Sequence, residues 1–89
     1  MVQESTYPTN DTSLAAYLYT EGFEITDIDY TEPRAVIHFK NDNPKIKDFE
    51  RLFYTGKSAV DASAYSRIHK RLSKILRLKI PWTEGVLHA

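Results

Sequence analysis

The sequence predicts a small α+β domain in the order helix, strand, strand, helix, helix, with an antiparallel β-hairpin packed against the helices. Three observations carry that expectation. Apolar residues recur at three- and four-residue steps in three segments and at two-residue steps in a fourth. The connections are too short for a parallel crossover, so the strands must pair antiparallel. With 89 residues, 42% of them hydrophobic, the chain suits one core rather than two.

Residues 1–10, "MVQESTYPTN", have no periodic apolar pattern and read as a flexible lead-in. The domain is expected over residues 11–80, with 81–89 as a C-terminal tail. "NDTSLAAYLYTEG" is a complete short helix: Asp11 or Thr12 caps its start and Gly22 takes the turn beyond its end. Leu14, Ala15 and Leu18 share its apolar face, Tyr17 flanks that face, and Tyr19 points elsewhere, toward solvent.

"FEITDIDYTEPRAVIHFK" switches to a period near two. Phe23 and Ile25 alternate with Glu24 and Thr26; Ala35, Ile37 and Phe39 alternate with Val36 and His38. Ile28 and Tyr30 have the opposite parity to Phe23 and Ile25, so a bulge is expected between Ile25 and Ile28. Pro33 suits the connecting turn.

"NDNPKIKDFERLFYTGK" carries Asp42 or Asn43 as a cap, Pro44 at the first helical position and Gly56 as a stop. Its buried stripe reads Ile46, Phe49, Leu52 and Phe53. The last helix opens at Asp61, with Val60 stapled to Tyr65. It buries Tyr65, Ile68, Leu72, Ile75 and Leu76, and ends before Pro81.

From "TSLAAYLYTEGFEITDIDYTEPRAVIHF" to "YTGKSAVDASAYSRIHKRLSKIL" the chain resembles a family of small uncharacterised domains common in bacteriophage and mobile-element genomes. Leu14 to Leu18, Gly22, Asp29, Pro33 to Phe39, Gly56, Val60 and Tyr65 carry the resemblance. Most are core and turn positions. Ala35 and His38 depart from the basic and apolar or aromatic residues more usual in that family's strand. The resemblance implies the fold and a phage or mobile-element setting in a bacterial host cell. It implies no activity and no functional residue.

Composition excludes several classes of function. The absence of cysteine removes disulfide frameworks and thiolate zinc sites. No apolar run is long enough to span a membrane and the N-terminus lacks a signal-peptide pattern, so a cytoplasmic protein is expected. His38, His69 and His88 are too scattered for a metal motif, and no cofactor is expected. The "GKS" of "YTGKS" lacks the first glycine and spacer of a phosphate loop and follows a helix rather than a strand. No serine stands in a nucleophile-elbow context, so the protein is expected not to be an enzyme.

The formal charge of zero hides an asymmetry. Residues 1–56 hold five basic and ten acidic residues, 5 − 10 = −5; residues 57–89 hold seven and two, 7 − 2 = +5. The stretch "YSRIHKRLSKILRLK" has six Lys or Arg and no Asp or Glu. Arg67, Lys70, Arg71, Lys74 and Arg77 fall on one side of its helix, with His69 beside them, a pattern able to track phosphates. The plainer reading is a solvated amphipathic helix. The helix dipole accounts for Arg77 and Lys79 but not for Arg67 near the start.

Nucleic acid held by its backbone is therefore the first expected partner, with an acidic protein as the alternative. In that second reading the chain is a protein-interaction module that uses Tyr19, Trp82 and the charge dipole. Trp82 either folds back on the core or stands exposed to stack on a base or anchor a partner. Glu21, Glu24, Asp27, Asp29 and Glu32 around the first strand read as a solvated edge that resists aggregation. A homodimer through the hairpin edge, acidic edge against basic helix, is the further partner considered.

Overall fold

A computed structural model describes residues 6–83 and 85–88. The elements are β1 (Thr6–Thr9), α1 (Thr12–Thr20), β2 (Ile25–Asp29), β3 (Val36–Lys40), α2 (Lys45–Tyr54) and α3 (Ala62–Leu78), followed by a 3-10 turn at Val86–His88. The fold is α+β: a three-stranded antiparallel sheet, order β1-β3-β2, with the helices packed against it.

The strand β1 corrects the expected lead-in. Tyr7 is buried opposite Phe39, and Pro8 stands opposite His38. Proline cannot donate a ladder hydrogen bond, so Pro8 is tolerated on an edge strand, and it also obscured the alternation. The remaining lead-in residues, 1–5, lie outside the described residues. Because β1 covers the outer side of β3, only β2 offers an edge of the hairpin to a second copy.

The expected bulge is present. Ile25 pairs with Phe39 and Asp27 with His38, leaving Thr26 as the extra residue. Its hydroxyl donates to the His38 carbonyl at 3.2 Å. The extra residue restores parity, so that Ile25 and Ile28 both enter the core. At the end of β2, Asp29 accepts hydrogen bonds from the Thr31 amide at 2.8 Å and hydroxyl at 2.6 Å, which shapes the turn toward Pro33.

Leu14, Ala15, Ala16, Tyr17 and Leu18 are all buried, so α1 is apolar on every side rather than on one face. It lies against both α2 and α3. Its start is capped by Asp11, which accepts from the Ser13 and Leu14 amides. At its end Gly22 adopts φ 103°, and the Phe23 amide closes back on the Leu18 carbonyl at 3.1 Å.

The α2 helix docks on α1 through rings. Tyr17 stacks with Phe53 at 5.4 Å between centroids, and Phe49 meets Phe23 edge-on at 5.2 Å. Ile46 is fully buried, but Leu52 is 38% exposed and leaves the stripe expected of it. Asn43 caps the start by accepting from the Lys45 amide at 3.0 Å. Gly56, at φ 74°, lets the Lys57 amide return to the Leu52 carbonyl, so the "GKS" closes a helix.

The expected boundary at residue 80 does not separate core from tail. Leu87 is 2% exposed within the core cluster, and Trp82 and Val86 pack against it. The tail is too short and irregular for apolar periodicity to signal this. No helix among the described residues is long and apolar enough to cross a membrane.

Candidate nucleic-acid interface

The basic surface is built on α3, and both of its ends are fixed. Asp61 accepts from the Ser63 amide at 3.0 Å and the Ala64 amide at 3.2 Å. At the other end Lys79 takes the left-handed conformation, φ 56°, and the Ile80 amide donates back to the Ile75 carbonyl at 3.0 Å. The Tyr30 hydroxyl reaches across from the hairpin and donates to the Ile80 carbonyl at 2.6 Å. Ile68, Leu72 and Ile75 are buried, which seats the helix and turns the opposite side outward.

Four of the five expected basic residues are gathered there. Arg67, Lys70, Lys74 and Arg77 are all exposed. Their steps of three, four and three residues place them within an arc of about 80° and along roughly 15 Å of helix. The described ion pairs, Lys40 with Asp42 at 3.4 Å and Arg51 with Asp48 at 3.5 Å, lie elsewhere. Among the described residues, none of the four is paired with a carboxylate. Leu78, 55% exposed, sits beside the row; the sequence pattern did not single it out.

Arg71 leaves the row. It is half-buried, one terminal nitrogen donates to the Val86 carbonyl at 3.4 Å, and its Nε is enclosed without a partner. It lies one position round from Lys70, toward the packed side, and the tail covers it. His69 also turns inward. Its ring lies 3.3 Å from the Ser13 hydroxyl through Nε2, and 5.7 Å from the Tyr65 ring between centroids. It joins the contact between α1 and α3 and, half-buried, borders the row rather than standing in it.

Tyr19, expected to face solvent, and Trp82, for which the sequence leaves folding back and exposure both open, are half-buried and packed on the core. Burial raises the Tyr19 phenol pKa above its ordinary value. The two nonetheless line one open cleft of about 600 Å³ with Glu24, Ile25, Thr26, Thr83 and Gly85.

The remaining singled-out groups are structural or dispersed. His38 lies on the outer face of the sheet, its Nδ1 2.6 Å from the Thr6 hydroxyl. The hydrogen bonds from Thr31 hold the Asp29 carboxyl below its ordinary pKa, so this acidic residue serves a turn. Among the described residues, no three His, Cys, Asp or Glu side chains gather to hold a metal ion.

Residues 4–78 match the model of a family described as a domain of unknown function, DUF5659. No curated protein and no solved structure matches the chain.

Proposed function

The chain belongs to the DUF5659 family of unknown function, and from its own residues we propose that it is a non-enzymatic accessory protein that binds nucleic acid by the phosphate backbone. Arg67, Lys70, Lys74 and Arg77 make the contacts. The observation that carries this reading is the set of four exposed cations on one arc of α3, none of them paired with a carboxylate among the described residues. No Asn or Gln stands on that arc to read base edges, so sequence preference is weak. The resemblance drawn from the sequence supplies the setting, a phage or mobile element in the cytoplasm of a bacterial host.

Charge reversal tests the proposal. Lys70→Glu and Lys74→Glu each weaken binding to nucleic acid at low salt by tenfold or more, with the melting temperature unchanged. Absence of salt-sensitive binding by the unmodified protein at low micromolar concentration overturns it.

A second reading rests on the cleft that joins Tyr19 and Trp82. There the chain docks a protein partner, an adaptor target or a second copy paired along the β2 edge. Retained binding of a protein partner by the Lys70→Glu and Lys74→Glu variants would favour it.

A further inference from the structure

The α3 surface differs from a single-strand binder in what lies beside its charges. The outward arc carries Ser66, Arg67, Lys70, Lys74, Arg77 and Leu78, none of them aromatic. Proteins that hold single strands combine a basic track with rings on which successive bases stack. Here the rings are engaged elsewhere. Tyr65 and His69, both half-buried, border an open depression with Ser66 and Lys70, but their rings lie 5.7 Å apart against each other and both side chains are hydrogen-bonded to Ser13 of α1. Among the described residues Tyr54 is the one large aromatic that is exposed, and its hydroxyl is bound to Asp11.

The rigidity of the row fits a different target. Duplex DNA presents one phosphate for each 1.7 Å or so of axis when both strands are counted, so roughly 15 Å of helix laid along it has phosphates of both strands within side-chain reach. Four cations are available. The row is straight because it is borne on one uninterrupted α-helix of 17 residues, capped by Asp61 and fastened at its end by Tyr30. A rigid, ring-free row of this kind suits a backbone already held in regular geometry by pairing.

We propose, resting on the nucleic-acid reading above, that the ligand is double-stranded nucleic acid, contacted at about four phosphates by the four cations of the row. Duplex DNA and duplex RNA share this chemistry, and the single strand does not.

The test titrates the full chain against a 20-base-pair DNA duplex, the matching RNA duplex and a single-stranded oligonucleotide of equal length, at a series of salt concentrations. Either duplex binds at least tenfold more tightly than the single strand. For DNA the slope of log K against log salt is about −3.5, which weakens binding about 100-fold between 50 and 200 mM. Replacing Lys70 and Lys74 together by Gln reduces the slope by about 2, while Lys47→Gln on α2 leaves it unchanged. Melting temperatures of the variants establish that they are folded. Tighter binding to the single strand, still dependent on Lys70 and Lys74, overturns the duplex inference and leaves the nucleic-acid reading standing. A slope indifferent to Lys70 and Lys74 overturns both.

Discussion

The Tyr54 hydroxyl donates a 2.6 Å hydrogen bond to Oδ2 of Asp11, whose Oδ1 caps α1. One carboxylate thus holds the start of one helix and the end of another. The bond to Asp11, then burial, raises the Tyr54 phenol to about 12. Burial opposes ionisation of Asp11, but the bonds from Tyr54, Leu14 and Ser13 outweigh it and hold its carboxyl below its ordinary value.

These shifts fix two pH windows. A raised phenol stabilises the fold fully below pH 10, and this contribution is lost as pH rises toward about 12. A lowered carboxyl stabilises it above its ordinary value of 3.8, and this is lost as pH falls through the lowered value. Tyr54→Phe removes the share of the alkaline contribution that belongs to Tyr54, leaving that of the other raised phenols such as Tyr19, and costs at most about 1 kcal/mol at neutral pH, because the pair is largely exposed. Asp11→Ala also removes the cap and costs about 1–2 kcal/mol. Denaturant melts at pH 3, 7 and 11 check both.

Lys79 is the one described residue other than glycine with positive φ. Its side chain forms no described hydrogen bond or ion pair, so the conformation serves only to end α3. Lys79→Gly relieves the crowding of Cβ and stabilises the protein by up to about 1 kcal/mol, or roughly 4–8 °C in Tm. A thermal melt showing no gain would mean that the turn is already unstrained. Lys79→Val lowers Tm.

The elements between residues 11 and 80 are legible because each is signalled locally. Asp11, Asn43 and Asp61 cap the helices, and Gly22 and Gly56 stop two of them. The bulge at Thr26 is legible because the parity of Ile25 and Ile28 requires it. What is hidden depends on distant partners. Tyr7 forms a strand only because β3 has a free edge to pair with, and Leu87 is buried only because α3 offers it a surface. The basic row shows the same limit. Spacing places Arg71 near Lys70, but spacing does not reveal that the tail will cover it.

The tail's place in the core gives a direct stability test. Leu87 is 2% exposed among the core side chains, so Leu87→Ala costs about 2–5 kcal/mol through lost burial and the cavity left behind. Deleting residues 81–89 costs at least as much. A tail that merely rests on the surface would give a change near zero in either variant, by urea denaturation followed through far-ultraviolet circular dichroism.

Arg71 and Lys74 separate the two roles that one helix performs. They are three residues apart with the same charge, yet Arg71 holds the Val86 carbonyl from a half-buried position while Lys74 is exposed and, among the described residues, unpaired. Arg71→Gln loses a charged hydrogen bond to the tail and costs about 1–2 kcal/mol of stability. Its effect on nucleic-acid affinity stays within about twofold, since its charge lies off the row. Lys74→Gln has the opposite profile, with Tm unchanged within about 1 °C and the salt slope reduced by about 1. Stability and salt-dependent binding measured side by side on the two variants decide the matter. Equal losses of affinity would mean that Arg71 swings out to join the row, and that the tail is released when nucleic acid binds.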